Sequence, residues 1–218
     1  MRRLIIALVL IMSTPLLLAA GGGSLPSGGG AAPVVQTPEQ RATRLYNAGL
    51  KYRKKAWKYE EKAAAATSEK KRSKYLKRAE TQYKRVLKNQ NNAIKQVGGF
   101  YQAMSELGYA YRKLGDYEKA IAAYNTALSL KGDYSEAIEY RGEAYLALGA
   151  FEKTKQAYMT LFRQDPEKAA LLMQAFELWS HKPASQKADA EAFLNWIAER
   201  KLLVSVSSHL SHSNPGDW

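Results

Sequence analysis

Residues 101–134 read YQAMSELGYAYRKLGDYEKAIAAYNTALSLKGDY, and residues 135–168 read SEAIEYRGEAYLALGAFEKTKQAYMTLFRQDPEK. The second stretch repeats the residue types of the first at many positions, with a period of 34 residues. A fixed period of this size is typical of repeat proteins. The matched pairs are Ala103 and Ala137, Met104 and Ile138, Gly108 and Gly142, Ala110 and Ala144, Tyr111 and Tyr145, Leu114 and Leu148, Gly115 and Gly149, Tyr117 and Phe151, Glu118 and Glu152, Lys119 and Lys153, and Tyr124 and Tyr158.

Each copy predicts a pair of α-helices. Apolar residues recur at three- and four-residue steps, which is the spacing of one helix face. Gly115 and Gly149 fall between the two helices of a copy, where a left-handed residue ends a helix. Gly108 and Gly142 lie inside the first helices, where glycine costs about 1 kcal/mol relative to alanine. We therefore expect a second helix to approach the chain closely at these two glycines.

The repeat resembles the tetratricopeptide repeat (TPR) family. The small residues, the aromatic residues, the turn glycines and the closing Asp165-Pro166 pair stand where that family has them. The resemblance implies an all-α fold of helical-hairpin repeats, an α-solenoid, and it leaves the function open because one fold serves many functions. The residues that it assigns to packing between helices are Gly108, Tyr111, Ala120, Tyr124, Gly142, Tyr145, Tyr158 and Pro166. The departures from the family pattern are Met104 and Ile138 for tryptophan, Arg141 for leucine, Thr154 for alanine and Gly132 for proline.

The N-terminal residues predict export. Residues 1–22 hold two arginines, an apolar run and small residues before Gly22, which is the form of a cleaved secretory signal peptide. An inner-membrane anchor is the alternative, because the apolar stretch 4–20 approaches the length of about 20 residues that spans a bilayer. Residues 23–37, rich in Gly, Ser and Pro, predict a flexible linker. We expect an exported, periplasmic protein.

Residues 38–97 predict a long basic helical hairpin, an elongated first repeat. Thr37, Pro38 and Gln40 supply an N-cap, a first-turn proline and a capping box. Small and aromatic residues then recur at alternating four- and three-residue steps on both sides of a turn near residues 67–69, which predicts an antiparallel coiled coil. The same heptad seam would serve a swapped dimer, so self-association through the hairpin stays open.

The repeat pattern weakens beyond the two copies in residues 98–168. Residues 169–200 predict degenerate capping helices, which cover the apolar end of a solenoid, and residues 201–218 predict a disordered tail. The three histidines, His181, His209 and His212, do not provide the three or four preorganised ligands of a metal site. The chain has no cysteine, and no phosphate-binding loop is recognisable. We expect neither an enzyme nor a cofactor.

The first candidate binding surface is a concave groove. The TPR resemblance implies that the first helix of each pair lines this groove. Its acidic and aromatic residues favour a basic or aromatic segment of a partner protein. The predicted groove residues are Gln102, Ser105, Tyr109, Arg112, Glu136, Glu139, Tyr140 and Glu143.

The second candidate surface is the tip of the hairpin. The formal charge of the 218-residue chain is +13, and 18 Lys and Arg residues against five Asp and Glu residues give +13 to residues 38–97. Such a concentration of one charge is costly unless it serves solubility or meets an anion. The predicted anion-binding residues of the tip are Arg53, Lys54, Lys55, Lys58, Lys62, Lys70, Lys71, Arg72, Lys74, Lys77 and Arg78.

Two functions follow from these surfaces. The first is a non-enzymatic adaptor or scaffold that binds proteins in the bacterial cell envelope. The alternative is an electrostatic binder of an anionic membrane or cell-wall polymer through the basic hairpin. Nucleic acid becomes a candidate only if the chain is not exported.

Overall fold

The structure is a computed structural model that describes residues 36–182, 185 and 190–212, with side chains to residue 205. The predicted signal peptide and nearly all of the predicted linker lie outside the described residues. Within them the chain forms eight α-helices and no strand. The helices are α1 (Pro38–Ala64), α2 (Glu69–Gln96), α3 (Tyr101–Lys113), α4 (Tyr117–Leu130), α5 (Ser135–Ala147), α6 (Phe151–Gln164), α7 (Pro166–Ser180) and α8 (Glu191–His212).

Helices that follow one another along the chain pack against one another in space. The first helices of successive pairs also meet, so that α3 contacts α5 and α5 contacts α7. This arrangement confirms the predicted all-α fold of helical hairpins. In the described part of the chain, no helix combines the length and the apolar character that crossing a membrane requires.

The first two helices form a long antiparallel hairpin. The capping box predicted at its start is confirmed, because Thr37 accepts from the Gln40 backbone N–H and its own N–H donates to the Gln40 side chain. Ser68 caps α2 by accepting from the Lys71 backbone N–H. At a rise of 1.5 Å per residue, the 27 residues of α1 extend about 40 Å.

The seam between α1 and α2 is buried at heptad spacing. The buried residues are Ala42, Gly49, Ala56 and Ala63 on α1 and Ala79, Gln82, Tyr83, Val86, Gln90 and Ala93 on α2. Leu76, which the sequence pattern placed in the seam, is instead 46% exposed, and the first buried residue of α2 is Ala79.

Gly49 has a packing role in this seam. A Cβ at this position would overlap the side chain of Gln90. Gln90 is fully buried and donates from Nε2 to the carbonyl oxygen of Tyr46 at 3.3 Å. Gly49 therefore leaves room for the Gln90 side chain, which donates a hydrogen bond to a carbonyl group of the α1 backbone.

The repeat glycines behave as the sequence predicts. Gly115 and Gly149 have φ values of +84° and +71°, so both helix ends use the left-handed conformation. A Cβ on Gly108 would lie 2.7 Å from the ring of Tyr124 on α4. At Gly142 the nearest group belongs to α7, since a Cβ there would lie 2.8 Å from Leu172.

Replacing Gly108 with alanine should lower the free energy of unfolding by about 1.5 kcal/mol. Alanine gains about 1 kcal/mol of helix propensity, but overpacking costs up to about 3 kcal/mol, and the Tyr124 ring is fully buried and cannot withdraw. Urea denaturation would measure the change. Gly132→Ala is the control, since the nearest atom to its Cβ lies 3.8 Å away, and it should change stability by less than about 0.5 kcal/mol. A Gly108→Ala protein as stable as the wild type would contradict this packing.

The C-terminal end corrects one prediction. Residues 201–212 continue α8 as a helix, so the prediction of a disordered tail is wrong for them. Helix α8 is anchored through Phe193 and Trp196, whose rings pack among those of α6 and α7. These contacts anchor the first turns of α8, and the helix continues beyond them to His212.

Candidate functional site

The predicted groove residues lie along α3 and α5, where α1 covers part of them. Ser105, Tyr109 and Glu139 are buried, so they do not face an open groove, contrary to the prediction. The indole Nε1–H of Trp57 on α1 donates to the hydroxyl of Tyr109 at 2.7 Å. The elongated hairpin explains the difference, because α1 lies alongside α3. The half-buried members of the predicted set are Gln102, Arg112, Glu136, Tyr140 and Glu143.

Two of the three acidic residues predicted for the groove are paired within the chain, whereas the half-buried Glu136 forms no ion pair with a described residue. Glu143 forms an ion pair with Arg112, and Glu139 forms one with Lys168 at 2.9 Å. The Glu143 carboxylate holds the pKa of Arg112 above its ordinary value although burial acts to lower it. Burial raises the pKa of Glu139 against the lowering effect of Lys168. These carboxylates therefore do not form a free anionic surface for a basic partner.

The aromatic residues of this face also contact other side chains of the chain. The ring centroids of Tyr109 and Tyr140 are 5.0 Å apart, and the Arg112 guanidinium lies 5.1 and 5.2 Å from the two centroids. Arg53 on α1 lies over Trp57 and Tyr109 and forms an ion pair with Glu106 on α3. The row of aromatic rings and guanidinium groups joins α1, α3 and α5 to one another.

Burial in this row perturbs one carboxyl group strongly. Glu106 is 7% exposed, and its desolvation raises its pKa to about 7 although Arg53 opposes the shift. Glu106 was not among the predicted site residues. Nothing in the local sequence separates it from an exposed helical glutamate, because its partner is 53 residues away.

An open cleft lies at the C-terminal ends of the first helices. Its volume is about 300 Å³, and most of its lining comes from the C-terminal parts of α1, α3, α5 and α7. The apolar part includes Leu146, Ala147 and Trp179, of which only Ala147 is exposed. The full lining is Glu60, Arg112, Lys113, Tyr117, Glu143, Leu146, Ala147, Ala175, Trp179 and Lys182.

The charge of the cleft is set by two internal pairs and one further cation. Arg112 pairs with Glu143, and Lys113 pairs with Glu60 at 2.7 Å. Lys182 is exposed and has no ion pair among the described residues. Only Arg112 and Glu143 were predicted as groove residues, because the sequence pattern does not indicate how far the helix ends lie from one another.

The predicted tip residues are exposed with one exception. Arg53 lies at the contact with α3 and its side chain is 18% exposed, so it does not belong to the tip surface. Its guanidinium contacts the Tyr109 ring and the Glu106 carboxylate on α3 instead. The ten other predicted residues are exposed and form no ion pair within the described part of the chain: Lys54, Lys55, Lys58, Lys62, Lys70, Lys71, Arg72, Lys74, Lys77 and Arg78.

Most predicted packing residues are buried. Gly108, Ala120, Tyr124, Gly142 and Tyr158 are buried, whereas Tyr111 and Tyr145 are half-buried. Pro166 is exposed, because it occupies the first turn of α7 rather than a contact between helices.

No group suited to hold a metal ion occurs in the part that the structure describes. There, no three His, Asp or Glu side chains lie close enough together to do so. His181 is exposed, and the side chains of His209 and His212 lie outside the described residues.

Comparison with known proteins identifies the repeats. Residues 108–149 match the family model of the TPR repeat. No match was found among curated proteins.

Several solved structures are similar to the chain. The first TPR of Spaghetti (RPAP3) bound to an HSP90 peptide has a TM-score of 0.49 at 19% identity and covers 66% of this chain and 97% of its own. The TPR2B domain of yeast Sti1 in complex with an Hsp70 peptide has a TM-score of 0.42 at 16% identity, covering 74% and 98%. A thermophilic TPR protein of Thermus thermophilus has a TM-score of 0.43 at 21% identity, covering 64% and 71%.

Proposed function

We propose that this chain, whose residues 108–149 match the family model of the TPR repeat, is a non-enzymatic adaptor that holds a partner protein in the cell envelope. TPR repeats serve protein–protein interaction. The cleft at the ends of α1, α3, α5 and α7 is the place where the partner binds. The envelope setting is supported by the signal-peptide pattern of residues 1–22.

The observation that carries this proposal is the composition of the cleft. Its ion pairs are already formed within the chain, so a partner segment does not have to neutralise them. The exposed methyl group of Ala147 leaves space beside Trp179 and Leu146 for a small apolar side chain. Lys182 at the rim adds an unpaired positive charge.

We infer that the partner segment carries a small apolar residue and a carboxylate, in contrast to the basic segment that the charge pattern of α5 favoured. The carboxylate reaches Lys182 while the apolar residue fills the space beside Ala147. A small interface of this kind gives weak, reversible binding, which is typical of an adaptor that exchanges partners.

Filling the cleft should remove partner binding without unfolding the protein. Peptides selected from a display library on the wild-type chain supply the probe, and fluorescence anisotropy measures their affinity. We expect Ala147→Arg to weaken binding of the selected peptides at least about tenfold, because a long side chain at this exposed position occupies the cleft. A tenfold loss of affinity corresponds to about 1.4 kcal/mol of binding free energy.

Ala122→Arg is the matched control. Ala122 is also an exposed helical alanine, but it lies on α4 and outside the cleft lining. Its peptide affinities should equal those of the wild type, and both variants should keep the wild-type melting temperature. Selected peptides that bind Ala147→Arg as tightly as the wild type would exclude the cleft as the binding site.

A further inference from the structure

One side of the hairpin carries two equivalent sets of a tyrosine and two cations. The ring of Tyr52 has the Lys55 Nζ at 5.4 Å and the Arg85 Cζ at 5.4 Å. The ring of Tyr59 has the Lys62 Nζ at 6.0 Å and the Arg78 Cζ at 5.8 Å. The corresponding members are seven residues apart, so the two sets repeat about every 10 Å along the hairpin. We call these six residues the cation–tyrosine face.

The cation–tyrosine face is open, because α3 packs on a different side of α1. On α1, Arg53, Trp57 and Glu60 make polar contacts with α3, through Glu106, Tyr109 and Lys113 respectively. At 100° per residue, Lys55 and Lys62 lie on the other flank of the buried seam. All four cations of the face are exposed.

The charge of this face is not balanced inside the chain. None of its four cations forms an ion pair with a described residue. Two of the carboxylates on the hairpin are engaged elsewhere, Glu60 with Lys113 and Glu80 with Lys84 at 2.6 Å. The four positive charges therefore face solvent together, each 5.4 to 6.0 Å from the centroid of a tyrosine ring.

This array suits a flat anionic surface. Lys and Arg bind lipid phosphate groups, and the half-buried rings of Tyr52 and Tyr59 lie between the cations on one side of the hairpin. The six residues form an extended strip rather than a pocket, so a small anion finds no enclosed site. Both rings already have cations over them, so they are not free to stack on the bases of a single-stranded nucleic acid.

We propose that the cation–tyrosine face of the hairpin binds the surface of a bilayer that contains anionic phospholipids. The hairpin then lies along the membrane, and the cleft at the ends of the first helices stays free for a partner protein. This attachment is independent of the adaptor function, because the face and the cleft share no residue.

The test is sedimentation with vesicles. A chain of residues 36–218 is suitable, because the buried residues of the described part lie between Ala42 and Ile197, and it lacks the apolar run 4–20 that would itself bind lipid. The probes are phosphatidylcholine vesicles with and without phosphatidylglycerol, at low and at physiological salt. We expect binding only to the vesicles with phosphatidylglycerol, and weaker binding at the higher salt.

The decisive comparison uses two variants with the same net charge. The face variant carries Lys55→Gln, Lys62→Gln, Arg78→Gln and Arg85→Gln, and the control variant carries Lys54→Gln, Lys58→Gln, Lys77→Gln and Lys88→Gln. The control positions are exposed on the same two helices and lie opposite the buried seam. Each Lys or Arg near an anionic membrane strengthens binding about fivefold, so the face variant, which lacks four cations, should bind about 600-fold more weakly and the control less than tenfold more weakly.

Several results would overturn the proposal. Equal losses in the two variants would mean that net charge alone attracts the protein. Binding to phosphatidylcholine alone, or no binding to either vesicle, would exclude an anionic lipid surface as the ligand. Stronger binding to a single-stranded oligonucleotide than to the vesicles would assign the face to nucleic acid. Peptide binding in the cleft is measured separately, so either proposal can fail alone.

Discussion

Phe193→Ala should lower the free energy of unfolding by about 4 kcal/mol, because truncating a buried aromatic side chain both loses apolar burial and leaves a cavity. Phe193 is 1% exposed, and it stacks on Phe151 with ring centroids 4.8 Å apart. It also meets Phe176 and Trp179 on α7 at 5.3 and 5.7 Å. The substitution removes the main anchor of α8, so α8 should also become the first helix to lose protection in hydrogen exchange.

Chemical denaturation with hydrogen exchange measures both effects. Leu203→Ala is the control on the same helix, because Leu203 is 55% exposed and its truncation should change stability by less than about 0.5 kcal/mol. A loss below about 1 kcal/mol for Phe193→Ala would show that α8 does not depend on this contact.

Arg53→Met should lower the free energy of unfolding by about 3 kcal/mol at pH 8, because it leaves the buried Glu106 carboxylate without its cation. Methionine keeps an apolar stem against Trp57 and Tyr109, so most of the loss is electrostatic. At pH 5 the loss should be small, since Glu106 can then hold a proton. Denaturation curves across this pH range provide the measurement.

The sign of the pH dependence follows from the raised pKa of Glu106. The carboxyl group releases its proton near its ordinary pKa of 4.5 in the unfolded chain and at about 7 in the folded chain. Between these values the folded chain binds more protons, so its stability falls as pH rises through this range. Removing Arg53 removes an effect that lowers this pKa, so in Arg53→Met the fall should extend to higher pH.

The double substitution Arg53→Met with Glu106→Gln separates charge from packing. It removes both charges, and replacing a buried ion pair by neutral residues of similar volume is often close to neutral. We expect most of the stability at pH 8 to return and the pH dependence between 4.5 and 7 to flatten. A double variant as unstable as Arg53→Met would show that the guanidinium contributes through its packing on the aromatic rings.

These contacts link stability to function in this chain. The pairs that join the first helices, Arg53 with Glu106 and Arg112 with Glu143, use three side chains that the sequence suggested for binding, Arg53, Arg112 and Glu143. They fix the hairpin against the repeats, and they leave the helix ends and one side of the hairpin as open surfaces. Both proposed interaction surfaces therefore lie outside these paired residues or at the edge of them.

The sequence alone determined the features that depend on near neighbours. The capping box at Thr37, the left-handed glycines at Gly115 and Gly149 and the period of 34 residues all follow from interactions within one helix, one turn or one repeat. The backbone imposes these local rules wherever the residues occur, so reading the chain in order is sufficient. The helical-hairpin architecture follows from them.

Only the tertiary structure decided which polar side chains remain available. Glu143 meets Arg112 from 31 residues away and Glu106 meets Arg53 from 53 residues away, so these two carboxylates form ion pairs within the chain. Likewise the cleft and the cation–tyrosine face each combine residues from separate helices. Burial and charge pairing are properties of distances across the fold, and spacing along the chain does not specify those distances.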